Sequence, residues 1–192
     1  SYGMPYQYHN SWAEVSRNGS KCLVMWKSDD LIHWGNQEMV KLGNEDFGCL
    51  WAPDILYDKE QGDYVVHWSS SHAMNDFGPK GIFYSRTEDF VTFSDPAVLY
   101  RKEDGGPVID SAMYEENGKY YCFLKSEGEP SHVILVKSEN VTGPFTRVEE
   151  FDRCMDTLEK GKYEAPTAFI TADGQWCLML DFYGCKAEGQ GY

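Results

Sequence analysis

The sequence lacks any apolar run of the ~18 residues that a membrane-spanning helix needs. Its first residues, SYGMPYQYHN, contain neither a basic segment nor an apolar one, so they do not resemble a signal peptide. We therefore expect no membrane partner. A secreted protein loses its signal on maturation, so bacterial secreted, periplasmic and cytoplasmic locations all stay open.

Basic residues are also scarce. The chain has 17 Lys and Arg against 31 Asp and Glu, which gives a formal net charge of −14 at pH 7. A surface of this sign repels the phosphate backbone and offers no basic stripe to neutralise it. The composition therefore excludes nucleic acid as an expected partner.

The six cysteines follow no pattern of a metal site. They include no CxxC pair and no cluster with histidine at zinc-ligand spacing. Cys22, Cys122 and Cys177 stand in apolar runs, where a thiol usually serves as a small buried hydrophobe. A chain of 192 residues can bury an ordinary core without disulfides. Reduced thiols are therefore favoured.

Short runs of β-branched and aromatic residues alternate with clusters of Gly, Asp, Asn and Pro along the chain, as in DYVVHWSSS, KYYCFLKS and SHVILVKS. Only DRCMDTLEKG has the character of one or two helical turns. The pattern predicts an all-β protein.

Three strand–turn–strand units recur in order, beginning with WAPDILY, PVIDSAMY and EAPTAFI. Their turn glycines, Gly62, Gly118 and Gly174, are each 56 residues apart. Four-stranded units at a fixed spacing are typical of a β-propeller, whereas a β-sandwich, the alternative, gives no reason for a fixed spacing. We predict an incomplete propeller of about three blades' worth of antiparallel four-stranded units: the end of a first blade and a linker (1–50), a second blade (51–105), a third (106–155) and half of a fourth (156–192).

A carboxylate stands near the start of each unit: Asp54 in WAPD, Asp110 in VIDS and Glu164 in YEAP. The first strand of a propeller blade lines the central channel, so these side chains are predicted to converge on one pocket. Burial of an unpartnered carboxylate is costly, which favours a shared functional site over a purely structural role.

Together these motifs resemble glycoside hydrolase family 43, the five-bladed β-propeller arabinofuranosidases, xylosidases and arabinanases. The resemblance covers most of the chain. It implies that Glu164 is the general acid and Asp110 the aspartate that tunes and orients it. It also implies an inverting reaction on arabinose- or xylose-containing glycans.

The general base that the family places in its first blade has no counterpart here. No Asp precedes Asp29, which lies in a turn, and Glu14 carries no motif. We therefore expect this chain to be inactive or weakly active. No cofactor is expected to be required, and the sequence leaves a structural calcium ion open.

Aromatic side chains stack on the apolar faces of sugars. Near strand starts and loops, the candidates for this role are Trp51, Trp12, Phe77 and Tyr183, and His9 and Asn10 form a polar cluster that would enter the same pocket. By contrast, we predict a core position for the three tryptophans inside apparent strands, Trp26, Trp68 and Trp176.

The segment SSSHAMNDFGPKG, flanked by His67 and containing His72, is predicted as a substrate-facing rim because it is long and contains glycine and proline. Two other functions stay open. The chain could be a carbohydrate-binding module that does not cleave its ligand. It could also form homo-oligomers, because an incomplete ring leaves blade edges unpaired.

Overall fold

The computed structural model describes residues 11–158 and 162–183. Two short helices, α1 (Trp12–Arg17) and α2 (Glu149–Met155), accompany the strands. The strands are β1 (Cys22–Met25), β2 (Glu38–Lys41), β3 (Trp51–Asp58), β4 (Asp63–Ser70), β5 (Gly81–Thr87), β6 (Ala97–Tyr100), β7 (Val108–Glu116), β8 (Lys119–Ser126), β9 (Val133–Ser138), β10 (Thr146–Arg147), β11 (Lys162–Ile170) and β12 (Trp176–Tyr183). Within these ranges no helix is long and apolar enough to span a bilayer.

The strands form four antiparallel sheets in chain order. Sheet 1 pairs β1 with β2, sheet 2 runs β3-β4-β5-β6, sheet 3 runs β7-β8-β9-β10, and sheet 4 pairs β11 with β12. Each strand therefore pairs with its neighbour in sequence, which confirms the predicted all-β class with four-stranded antiparallel units.

The three predicted hairpins are present, and each has its glycine at positive φ: 76° at Gly62, 75° at Gly118 and 84° at Gly174. Only the middle one is a two-residue turn. There Asn117 also has positive φ, at 54°, between the paired residues Glu116 and Lys119. Asn-Gly favours this turn because both residues reach positive φ at low cost.

The inner strands of sheet 2, β4 and β5, are largely buried because they lie between two hydrophobic clusters. Successive strand residues point to opposite faces. Accordingly, Val65 packs in a cluster with Val108, Leu124 and other residues of sheet 3. Its neighbour Val66 packs with the cluster that contains Phe47 and Trp68. This stacking of sheet on sheet brings the first strands of successive sheets together.

The predicted core position is confirmed for one of the three tryptophans. Trp68 is fully buried in β4, whereas Trp26 is 46% and Trp176 is 42% exposed. Trp26 lies just beyond the end of β1. Trp176 starts β12, packs edge-on against Tyr114 and donates its indole N–H to Glu116 at 2.6 Å. The prediction for Trp26 and Trp176 was wrong because strand character does not reveal which face a neighbouring sheet covers.

Candidate active site

The first strands of sheets 2, 3 and 4 each contain a β-bulge near their start. The pairing register shifts within Trp51–Asp54 of β3, Ile109–Ala112 of β7 and Glu164–Thr167 of β11. One residue of each bulge has a left-handed backbone, with φ of 45° at Ala52, 52° at Asp110 and 49° at Ala165. Bulges re-aim side chains and are common beside active sites.

The three bulges line one open cleft of about 380 Å³. Its walls comprise residues 52–54 of β3, residues 110–112 and Tyr114 of β7, and residues 165–167 of β11. Glu164 immediately precedes the last of these segments. The three repeat starts, far apart in sequence, thus meet at one place.

Backbone N–H groups of β7 donate to side chains of sheet 2. The Asp110 N–H donates to Ser69 Oγ at 3.0 Å, and the Met113 N–H donates to Asp54 Oδ2 at 3.2 Å. A bulge leaves backbone groups outside the strand ladder. These side chains of the preceding sheet supply acceptors, and they tie the bulge of β7 to sheet 2.

Hydrogen bonds of the same kind, from backbone N–H groups to side chains of the preceding sheet, link sheet 4 to sheet 3. The Ala165 N–H donates to Asp110 Oδ2 at 3.4 Å, and the Ala168 N–H donates to the hydroxyl of Tyr114 at 2.7 Å. Asp110 therefore contacts the residue that directly follows Glu164.

Asp110 and Glu164 also interact through their charges. Burial raises the pKa of Asp110, and the negative charges of Glu164 and Glu127 raise it further. The Ala165 N–H and the charge of Lys125 act in the opposite direction. Carboxylates that share a site repel each other, so such a pair retains a proton to higher pH than an isolated aspartate.

His67 lies behind the cleft and is fully buried in β4. Its Nδ1 is 2.7 Å from Ser111 Oγ, and its Nε2 is 3.7 Å from Asp54 Oδ2. The sequence had placed His67 beside a substrate-facing rim, and the structure corrects this. One feature of the sequence indicated that His67 is buried: it lies between Val66 and Trp68, inside an apolar strand.

Two of the predicted aromatic residues lie together. The rings of Trp12 and Trp51 meet edge to face, with centroids 6.3 Å apart, and Trp12 is 71% exposed. Lys80 Nζ lies 4.8 Å from the centroid of the Trp51 ring and 3.4 Å from Glu127 Oε2. The surroundings of Trp51 thus combine an aromatic ring with charged side chains.

Phe77 lies at the other end of α1, where the guanidinium of Arg17 sits 4.7 Å from its ring centroid. The backbone of Tyr183 pairs with Lys162 at the end of sheet 4. The side chain of Tyr183, like the whole of His9 and Asn10, lies outside the described part of the chain. The structure therefore places Asp54 and Asp110 in the wall of the cleft, and Trp51 and Glu164 directly before segments that line it. Trp12 lies beside Trp51.

No group of three or more His, Cys, Asp or Glu side chains within residues 11–158 and 162–183 is arranged to hold a metal ion. The site in the described region therefore consists of carboxylates, aromatic rings and backbone N–H groups. The fold and the site thus define an all-β domain whose successive sheets bring carboxylates to one cleft.

Comparison with known proteins narrows this class. A family model described as a probable glycosyl hydrolase domain, related to glycosyl hydrolase family 43, matches residues 4–192. The chain belongs to this glycosyl hydrolase family 43-related family.

A curated α-L-arabinofuranosidase of Bifidobacterium longum subsp. longum is 28% identical in an alignment 162 residues long that covers 70% of this chain. The chain spans only 15% of the length of that relative.

Two solved structures share the fold. An exo-1,5-α-L-arabinanase from a bovine ruminal metagenomic library matches with a TM-score of 0.58 and 17% identity, covering 87% of this chain and 62% of its own. An endo-arabinase from Bacteroides thetaiotaomicron matches with a TM-score of 0.57 and 16% identity, covering 81% of this chain and 58% of its own.

Proposed function

We propose that this chain supplies the general acid, and the aspartate that tunes it, to a glycoside hydrolase site for arabinose- or xylose-containing glycans. Glu164 is the general acid of an inverting reaction, and Asp110 tunes and orients it. The observation that carries the proposal is the hydrogen bond from the Ala165 N–H to Asp110, because it couples the two carboxylate-bearing bulges. Family membership and the arabinofuranosidase relative support the reaction class and the pentose substrate.

We also propose that the four sheets are successive blades of a five-bladed propeller. Each sheet is a simple meander, and the first strands of sheets 2, 3 and 4 meet at the cleft. The fold shared with the two arabinanases supports this arrangement.

The chain alone is proposed to turn over weakly or not at all. Asp54, the other carboxylate of the cleft wall, accepts the Met113 N–H and faces His67. These contacts join Oδ2 of Asp54 to the framework, and we propose that Asp54 does not act as the general base. The aromatic pair Trp12 and Trp51 would still bind a sugar face.

The test compares wild type with Glu164→Gln on aryl arabinofuranosides and aryl xylosides, at a measured oligomeric state. Loss of a general acid slows cleavage of poor leaving groups far more than cleavage of activated ones such as dinitrophenolate. Any turnover by the wild type should therefore fall selectively in Glu164→Gln. Glu116→Gln, which changes a carboxylate at the end of β7, is the matched control.

Binding of arabino- and xylo-oligosaccharides is measured by calorimetry in parallel, with Trp51→Ala as the binding-defective variant. Binding without turnover fits the proposal. Rapid turnover by monomeric wild type would refute the weak-activity part, and an equal response of good and poor leaving groups to Glu164→Gln would refute the role of Glu164. Absence of both binding and turnover would contradict the proposed function as a whole.

A further inference from the structure

His67 is a buried polar side chain that the proposed chemistry does not use. Its Nδ1 contacts Ser111 Oγ at 2.7 Å. Its buried Nε2 has no hydrogen-bond partner among the described residues, and the nearest charge is Asp54 Oδ2 at 3.7 Å. An orphaned nitrogen in a fully buried imidazole is costly and calls for an explanation.

Burial favours the neutral form of this ring. Burial lowers the pKa of His67 to about 4, although the negative charge of Asp54 opposes this. A neutral imidazole carries one N–H. The carboxylate attracts that proton to Nε2, which leaves Nδ1 to accept the hydroxyl hydrogen of Ser111.

Ser111 lies inside the β7 bulge, directly after Asp110. The bulge is thereby attached to β4 at two points, by the Asp110 N–H to Ser69 and by the Ser111 side chain to His67. These attachments flank the backbone of Asp110, whose φ is 52°. Such a conformation is uncommon for a non-glycine residue, and attachments on both sides help to hold it.

We propose that His67 is a positioning residue that, through Ser111, holds the β7 bulge so that Asp110 faces Glu164. The catalytic meaning of this inference rests on the proposed function, whereas the geometry it describes does not.

An Asp–His–Ser set is also the composition of a nucleophilic triad. Here Ser111, although it belongs to the cleft wall, is only 4% exposed, and its hydroxyl lies 2.7 Å from Nδ1 of the fully buried His67. A hydroxyl so enclosed cannot reach a substrate, so the set serves positioning.

The test follows the carboxyl of Asp110 by carbon-13 NMR as pH is varied, with the resonance assigned through Asp110→Asn. Burial is the largest cause of the raised pKa of Asp110. A bulge freed from His67 admits water, so the midpoint should fall by about half a pH unit or more in His67→Leu and in Ser111→Ala. His67→Asn keeps a polar atom near the position of Nδ1 and should restore most of the wild-type midpoint.

Two controls match these changes in chemistry. Ser85→Ala removes another buried hydroxyl in β5, and His132→Leu removes a partly buried imidazole between β8 and β9. Both should leave the Asp110 midpoint unchanged. The double variant His67→Leu/Ser111→Ala should shift it no further than either single change, because both break one connection.

A lower thermal midpoint with an unchanged Asp110 titration in both single variants would show a merely structural role and overturn the inference. If His67→Leu fails to fold, Ser111→Ala alone decides the outcome. The measurement needs no sugar or turnover, so a shifted Asp110 in a protein that neither binds nor cleaves glycans would refute the proposed function and leave the geometry standing.

Discussion

The hydroxyl of Tyr114 is the clearest single tie between sheets 3 and 4, and Tyr114→Phe removes it alone. The hydroxyl accepts the Ala168 N–H at 2.7 Å, and Ala168 is only 7% exposed. The ring stays in place because it packs against Phe123 and Trp176, with centroids 6.1 and 5.9 Å away. A buried N–H that loses its acceptor costs about 1–3 kcal/mol, so we expect a loss of this size in the free energy of unfolding.

Urea denaturation measures the loss, and amide hydrogen exchange at Ala168 locates it. Tyr57→Phe, at a side chain 47% exposed on β3, is the matched control for removing a phenol oxygen. We expect the amide hydrogen of Ala168 to exchange faster only in Tyr114→Phe, because this N–H then has lost its hydrogen-bond acceptor. A loss within about 0.3 kcal/mol of that in Tyr57→Phe, with exchange at Ala168 unchanged, would refute the reasoning.

Two further predictions concern buried charge. Arg86 bonds both Asp58 and Asp63, so Arg86→Met strands the buried Asp58 and should cost about 3–5 kcal/mol at neutral pH by urea denaturation. Burial opposes ionisation of Asp58, but Arg86 and the backbone N–H groups of Gln61 and Glu60 outweigh it and lower its pKa. The stabilisation from ionised Asp58 is therefore present above the unfolded pKa of about 3.9 and is lost as pH falls through the folded pKa. If Arg86→Met lowered the free energy of unfolding as much at about pH 3 as at neutral pH, the account would be contradicted. For Asp110 the sign is reversed: its pKa is raised in the folded state, so its ionisation lowers the stability as pH rises from the unfolded pKa of about 3.9 through the higher folded pKa. The thermal midpoint of Asp110→Asn, relative to that of the wild type, should therefore rise from acid to neutral pH. If the difference between the two midpoints did not change with pH, the raised pKa of Asp110 would be contradicted.

The hairpins could be predicted from the sequence because their determinants are local. Glycine at positive φ and alternating strand residues act within a few positions, and the 56-residue spacing of Gly62, Gly118 and Gly174 repeats that local chemistry. The convergence of Asp54, Asp110 and Glu164 could be predicted from the same repeat, since equivalent strands of stacked sheets meet at equivalent ends. The domain boundaries and the catalytic roles stay predictions.

What escaped prediction depends on contacts between sheets. The exposure of Trp26 and Trp176 is set by which strand face a neighbouring sheet covers, and the sequence of one strand does not record that. For His67, the apolar neighbours Val66 and Trp68 were the one local signal of burial. Helix α1 was also missed. It is short, and its Ser11 cap and the contact of Trp12 with Trp51 fix it more than any helical period does.

Of the three bulges, only that of β7 has its carboxylate residue at the left-handed backbone position. Alanine occupies the left-handed site in β3 and β11, whereas Asp110 occupies it in β7. Aspartate adopts this backbone more readily than most residues, because its short polar side chain bonds to nearby backbone groups. Here the same side chain reaches forward to the Ala165 N–H of the next bulge. The residue at the left-handed position of one bulge is thus hydrogen-bonded to the next bulge, which begins at Glu164, so one carboxylate links the framework to the proposed acid.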